Sequence, residues 1–286
     1  MPAVPDIGLI TCQKLPEPDP DQDLLAEALD HVGITAELIA WDDPGSRPAD
    51  YKVCVFRSCW NYFDNIDAFA RWMGHTERAA PLLNSAEVVR WNIHKRYLNA
   101  LRAEGIPTVP TVFGWRSESM NLGQIADEQG WSDVVVKPAI SAGSVRTRRF
   151  EPGQLDEGQR FLNQLLVGWD VMIQPYLPSV ESAQGERSVI GIDGSWTHTI
   201  RKARRFEGEA ESVSEALPVT DDEASIADRC LEVIGYDLFY ARVDLMADNE
   251  DQLRVSEVEL IEPSLFLAQS SEALERYVAG LARIVN

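Results

Sequence analysis

No two cysteines form a C-x-x-C pair: Cys12, Cys54, Cys59 and Cys230 are scattered along the chain. That excludes zinc ribbons and thioredoxin-like redox motifs, and single thiols fit a reducing cytoplasm. The four histidines, at 31, 75, 94 and 198, show no metal-ligand spacing. No apolar run approaches the length of a bilayer span. Met1 to Ile10 holds two prolines and no basic residue, which does not read as a signal peptide. Cations are scarce: 26 Lys and Arg stand against 46 Asp and Glu, a net charge of −20. Phosphate repulsion then disfavours partnership with duplex nucleic acid or an anionic membrane, while a small anionic ligand held by a local basic cluster stays open. The expectation is a cytoplasmic protein acting on a small molecule, its homo-oligomeric state open.

The chain has 286 residues, 45% of them hydrophobic, enough for a sizeable core in two or three lobes. Ile7 to Cys12, Thr35 to Ala40 and Lys52 to Phe56 read as strands, with helices over Asp23 to Val32 and Ile66 to Thr76. That alternation predicts a parallel, doubly wound sheet. A helix is expected from Ala86 to Glu104, with Asn84 as cap and Gly105 as stop. Beyond it, strands at 134–137, 146–150, 171–176, 187–192, 196–202, 238–247 and 253–261, with helices at 155–166 and 271–285, predict antiparallel sheets with helices. Asp193-Gly194 marks a hairpin. The expected fold class is α/β, with α+β lobes after the front unit and a soft boundary near residue 85.

Five constellations carry chemistry. In Lys137-Pro-Ala-Ile-Ser-Ala-Gly-Ser144 a lysine ends a buried strand before a small-residue loop whose backbone can approach a polyphosphate. A surface hairpin with a lysine at its shoulder would read the same. Asp244, Glu257 and Glu259 would converge if two neighbouring strands pair in register, and three carboxylates together call for a hard cation such as magnesium. An exposed acidic strand face is the plainer alternative, weakened by Val255, Val258, Leu260 and Ile261 around it. A one-residue slip would turn the carboxylates away. Arg201, Lys202, Arg204 and Arg205, with Arg146, Arg148 and Arg149, concentrate positive charge in an acidic chain. Local pairing of Arg204 and Arg205 with Glu207, Glu209 and Glu211 competes with that use. Gln174-Pro-Tyr176-Leu177 leaves a buried strand, where backbone groups could meet an adenine edge and Glu181 could take ribose hydroxyls. Lys95 shares a helix face with Trp91 and Leu98, as a snorkelling surface lysine also would. Arg57 follows an expected parallel strand, where doubly wound folds bind ligands. His198 alternates with apolar residues, as a hydrogen-bonded core histidine does.

In this order the pieces resemble the ATP-grasp superfamily over residues 84 to 264, with the front unit similar to the domain that precedes the grasp lobes. The resemblance implies an N-terminal Rossmann-like pre-ATP-grasp domain over 1–85, one grasp lobe over 86–178 and a second, metal-bearing lobe over 179–286. It implies that Lys95, Lys137 and Ser144 hold phosphates, that Gln174, Tyr176, Leu177 and Glu181 hold the nucleoside, and that Asp244, Glu257 and Glu259 hold Mg2+. The family's metal strand usually reads Glu-x-Asn; here it reads Glu257-Val-Glu259, with Glu262 a further candidate. The resemblance also implies ATP as cosubstrate, Arg242 and Lys137 as catalytic residues, and Arg57 or Arg201 as anchors for a substrate carboxylate. Ile140 to Ser144 and Arg204 to Ser214 are candidate lids. Val134 to Ser144, Gly185-Glu-Arg-Ser188 and Glu259-Leu-Ile-Glu-Pro-Ser-Leu-Phe-Leu267 look most like the cyclo-ligases of D-cycloserine biosynthesis. That implies activation of a carboxylate as an acylphosphate and closure of O-ureido-D-serine by its own nitrogen. A two-substrate carboxylate–amine ligase, joining amino acids or peptides, is the alternative.

Overall fold

The computed structural model describes residues 5–204 and 212–286. Arg205, Glu207, Glu209 and Glu211, the middle of the candidate lid Arg204–Ser214 and the first four residues of the leader reading lie outside the described residues. The chain begins β1 (Ile7–Thr11), α1 (Gln22–His31), β2 (Ala36–Ala40), β3 (Val53–Ser58), α2 (Ile66–Ala79) and β4 (Leu82–Leu83). Every residue of β1 and β3 is buried, as strands covered on both faces must be. The four strands form one parallel sheet in the order β2-β1-β3-β4.

Then follow α3 (Ala86–Asn92), α4 (Tyr97–Ala103), β5 (Val112–Gly114), α5 (Leu122–Gln129), β6 (Val134–Pro138), β7 (Arg148–Phe150), α6 (Leu155–Leu166) and β8 (Val171–Pro175). The strands pair antiparallel in the order β5-β8-β6-β7, and α5 and α6 cover them with Leu122, Ala126, Leu162 and Leu165. The last part is β9 (Glu186–Ile192), β10 (Ser195–Lys202), α7 (Asp221–Ile234), β11 (Tyr240–Ala247), β12 (Leu253–Glu259) and α8 (Ser271–Val285). Its sheet is also antiparallel, in the order β10-β9-β11-β12. Asp193 and Gly194 both take left-handed φ, 50° and 73°, which the tight β9–β10 turn requires. Helix α8 brings Tyr277 and Leu281 into one core with Ile7, Leu9 and Leu25 from the front and Ile190 and Ile192 from the last sheet. No helix among the described residues is long and apolar enough to cross a membrane.

The helix expected over 86–104 is broken. The Lys95 amide donates to the carbonyl of Ala139 at 2.9 Å instead of continuing the helical ladder. Lys95 therefore stands at the break between α3 and α4, where its side chain can leave the helix surface. The cap is Ser85, whose hydroxyl accepts from the Val88 amide, not Asn84. Asn84 is buried and donates to the carbonyls of Tyr240 and Leu260, both at 2.9 Å, while its oxygen accepts from the Phe239 amide at 2.8 Å. Asn92 and Tyr97 do the same for the outer edge of β12: Asn92 bridges Val258 and Leu260, and the Tyr97 hydroxyl exchanges hydrogen bonds with both backbone groups of Val258. Edge strands leave backbone groups that must be satisfied when buried, and three side chains do so here. Helices α5 and α7 and strand β5 are absent from the sequence reading. The start of α7 is a capping box of Thr220 and Glu223.

Asn84→Ala strands an amide and two carbonyls in the interior. It should lower unfolding free energy by about 3 kcal/mol in urea titration, with the slope unchanged. His198 is buried on β10, and burial pushes its pKa down to about 4 from the ordinary 6.5. A depressed histidine favours the folded state fully only above its unfolded pKa. Stability should therefore fall as pH drops from about 6.5 towards 4, and His198→Asn should flatten that part of the profile.

Candidate active site

Strands β11 and β12 pair so that Arg242 faces Glu259 and Asp244 faces Glu257, with a register shift just beyond Asp244. The same parity puts all four side chains on one face of the sheet. They border a cavity of about 590 Å³ whose walls also include Lys95, Lys137, Lys202 and Glu186. Lys95, Lys137, Lys202, Arg204 and Arg242 thus meet a set of carboxylates around one cavity. Arg242 donates from Nε to Asp244 Oδ1 at 2.9 Å, and from its Nη2 to Asp244 Oδ2 at 3.0 Å and Glu259 Oε1 at 2.5 Å. Lys202 donates to Asp244 Oδ2 at 2.8 Å and pairs with Glu186 at 3.1 Å. The Ser188 hydroxyl adds a third donor to Asp244 at 2.6 Å. Lys95 pairs with Glu257 Oε1 at 2.9 Å and donates to the Ser141 carbonyl at 2.8 Å, which ties the α3–α4 break to the small-residue loop.

Buried ion pairs persist only when charges and hydrogen bonds are matched. Burial works against the Asp244 charge, but Arg242 and Lys202 outweigh it and hold the carboxyl well below its usual range. For Lys202 the balance is the mirror image: burial opposes the charge, and Asp244 and Glu186 hold the ammonium above its usual range. Lys137 has no such close partner. Burial pushes it down, Glu257 opposes the shift, and Lys95 adds repulsion. Glu259 is pushed up to about 7, first by burial and then by Glu257 and Asp244, against Arg242. Together these groups pair every cavity lysine but Lys137 with a carboxylate, and give Glu257 and Glu259 one close cation each.

The small-residue loop takes unusual backbone: Gly143 and Ser144 have φ of 59° each and Arg146 of 55°. Ser141 to Ser144 line the cavity, and Arg146 lies over the Trp169 ring at 4.7 Å. The cavity's apolar lining comes from Val109, Val135, Leu177, Val180 and Met246. Gln174 is buried, and its side chain donates to Thr111 at 2.8 Å, which leaves recognition at this edge to backbone groups of 174–177. The Tyr176 hydroxyl donates to Glu181 at 2.6 Å, and Arg149 stacks 3.7 Å from its ring.

Several expected residues lie elsewhere. Glu181 is held by Tyr176, Arg149 and Arg204, and borders an adjoining surface depression instead of the main cavity. Arg201 faces that same depression and donates to the Ala183 carbonyl at 2.8 Å. Strand alternation turns its neighbour Lys202 towards Asp244 and Glu186, so within the basic set it is Lys202 that pairs with the cavity carboxylates. Arg57 does not reach the cavity either. It is buried between Asp19 and Asp21, at 3.7 and 3.6 Å, beside the Tyr277 ring. From the same part of the fold Trp60, Pro16 and Glu17 line the cavity in its place.

The three proposed metal carboxylates are neighbours on one face, yet Asp244 is engaged by Arg242 and Lys202. Among the described residues no three acidic, histidine or cysteine side chains are arranged as a metal cage. Glu257 and Glu259 fit a hard divalent cation by charge and donor type, with phosphate oxygens completing its shell. The carboxyl of Glu259, raised first by burial and then by its acidic neighbours, is the group such a cation would relieve.

Residues 7–84 match the family model of the D-cycloserine synthetase DcsG N-terminal domain. The cycloserine biosynthesis protein DcsG of Streptomyces lavendulae is 30% identical over 280 residues, covering 92% of this chain and 93% of that protein. The crystal structure of D-cycloserine synthetase DcsG superposes with a TM-score of 0.87 at 29% identity, covering 98% of this chain and 99% of that one. The D-alanine–D-alanine ligase of Bacillus anthracis, complexed with ATP, superposes at 0.68 with 18% identity, over 98% and 95% of the two chains, a likeness of fold.

Lys202→Met removes a cavity cation, whereas Arg201→Ala alters the adjoining depression. The first should weaken binding of a non-hydrolysable ATP analogue with Mg2+ by about tenfold or more in calorimetry, and the second should change it by less than about twofold.

Proposed function

The chain belongs to the DcsG family of ATP-grasp ligases, and on that premise we propose that it closes O-ureido-D-serine to D-cycloserine at the expense of ATP. It is an ATP-dependent ligase of α/β fold; the substrate, the ring closure and the residue roles are the proposal. One observation carries the roles: Lys95, Lys137, Lys202 and Arg242 converge on a single cavity that Glu257 and Glu259 share. The substrate reading is supported by identity to DcsG across nearly the full length of both proteins.

In this reading Lys95 and Lys137 draw the α- and β-phosphates of ATP into the cavity, and Lys202 draws the γ-phosphate. Backbone groups of 174–177 receive the adenine, and the apolar lining packs on its faces. Glu257 and Glu259 would hold magnesium, which when bound would supply positive charge against the charge that develops on the phosphates. The substrate carboxylate attacks the γ-phosphorus and becomes an acylphosphate, with ADP leaving. The ureido nitrogen bonded to oxygen then attacks the activated carbonyl, phosphate departs, and the ring closes; one water then cleaves the ring nitrogen–carbamoyl bond, leaving N–H on the ring and releasing carbamate, which breaks down to ammonia and carbon dioxide. Arg242 faces this centre from β11 and would stabilise the oxyanion, its orientation fixed by Asp244. The acylphosphate must be kept from water, a task for the loop Ile140–Ser144 over the cavity. Lobes over 86–178 and 179–286 would close on the nucleotide between them.

The direct test is ADP release from Mg2+–ATP with O-ureido-D-serine as the only other substrate, and the product identified by mass spectrometry. Stoichiometric ADP with the cyclised product is expected. A requirement for a second amine substrate would instead assign the chain to the two-substrate ligases. Arg242→Lys, which cannot make the same fork, should lower kcat by about 100-fold or more with the circular dichroism spectrum unchanged.

A further inference from the structure

Glu262 stands apart from the other carboxylates of the cavity. It is only 7% exposed, lies just beyond the end of β12 and lines the cavity beside Trp60, Arg242 and Ser264. Asp244, Glu186, Glu257 and Glu259 each have a cation within 3.1 Å. Among the described residues Glu262 has no ion pair; its side chain meets the Tyr62 hydroxyl. Lys95, the nearby ammonium, is committed to Glu257 and to the Ser141 carbonyl. The backbone around Glu262 is firmly placed: its carbonyl accepts from the Trp60 indole at 3.0 Å, and the Tyr240 hydroxyl donates to the carbonyl of Ile261 at 2.7 Å.

A buried carboxylate without a cation is costly in its charged form. Burial and the neighbouring Glu259 push the Glu262 carboxyl well up. A cationic group arriving in the cavity would remove that cost, and the wall around it, with Trp60, suits an ammonium on a small carbon frame. The polyphosphate cannot supply such a group. The second substrate can, if it carries an amine close to the carboxylate that reacts near Arg242.

We propose that Glu262 is the receptor for the α-ammonium of the substrate, so that the enzyme selects α-amino acids over acids lacking the amine. This rests on the ring-closing reading for the identity of the substrate, but not for the presence of an amino acid. It separates Glu262 from the metal ligands: Glu257 and Glu259 serve the cation and phosphates, while Glu262 serves the acid.

The test compares O-ureido-D-serine with its deamino analogue, 3-(ureidooxy)propanoic acid, by calorimetry on the whole enzyme with Mg2+ and a non-hydrolysable ATP analogue. Wild type should bind the amino acid at least about 30-fold more tightly, and Glu262→Gln should bring the two within about threefold of one another. Glu262→Asp should restore part of the preference, and Mg2+–ADP affinity should be unchanged in Glu262→Gln. Equal binding of the two acids by wild type would overturn the proposal. So would a loss of Mg2+–ADP affinity in Glu262→Gln matching its loss of acid affinity, which would make Glu262 a metal ligand. Binding of the amino acid with the predicted preference but without turnover would refute ring closure and uphold the ammonium site. Absence of binding of either acid would overturn both.

Discussion

The guanidinium of Arg242 spans both oxygens of Asp244 and reaches Glu259 on the facing strand, and this buried fork organises the cavity. It exists because β11 and β12 pair with Arg242 opposite Glu259 and Asp244 opposite Glu257. A slip of one residue would turn the acids into the apolar core on the other face, where Val243, Leu245 and Val258 are almost fully buried. The fold therefore holds the register from the side. Asn92 and Tyr97 satisfy the outer edge of β12, and Asn84 fastens the ends of β11 and β12 together. Helices α3 and α4, which carry Asn92 and Tyr97, also carry Lys95 into the cavity at their break. One set of polar contacts thus fixes the carboxylates and a phosphate-binding lysine relative to each other.

The charges explain what such a cavity can do. In the structure each lysine that would meet a phosphate, except Lys137, already holds a carboxylate. An incoming polyphosphate competes for those lysines, and the acids it displaces then need another cation. Magnesium meets that need at Glu257 and Glu259, so nucleotide and metal are expected to enter as one electrostatic unit. Asp244, with Arg242, Lys202 and Ser188 upon it, stays as the anchor that orients the arginine. The departure of this strand from Glu-x-Asn fits the same scheme: a second carboxylate, Glu259, gives Arg242 a charged partner while the metal is absent.

Much of this was legible before any coordinates. The parallel front sheet followed from short, largely apolar strands alternating with helices, and Asp193-Gly194 marked the β9–β10 hairpin of the last sheet. Asp244, Glu257 and Glu259 could be set on one face because strand periodicity is strict, given a register that only structure supplies. What escaped was of two kinds. Short elements such as β5 carry too few residues to show a period. Side chains whose use depends on tertiary partners could not be placed: Arg57 ends a strand at a position suited to ligands but is taken by Asp19 and Asp21. Lys202 was overshadowed by Arg201, and only the facing of β10 decides between them. Asn84 looked like a helix cap because caps and strand clamps draw on the same side-chain chemistry.

The exchange of carboxylates for phosphates at the cavity lysines is tested most directly by ADP binding to the wild-type enzyme, with Mg2+ and with a chelator in its place. If Lys95 must be released from Glu257 to meet the phosphates, metal-free ADP should bind at least about tenfold more weakly. Equal affinity under the two conditions would contradict the exchange and leave the buried ion pairs with a structural role only.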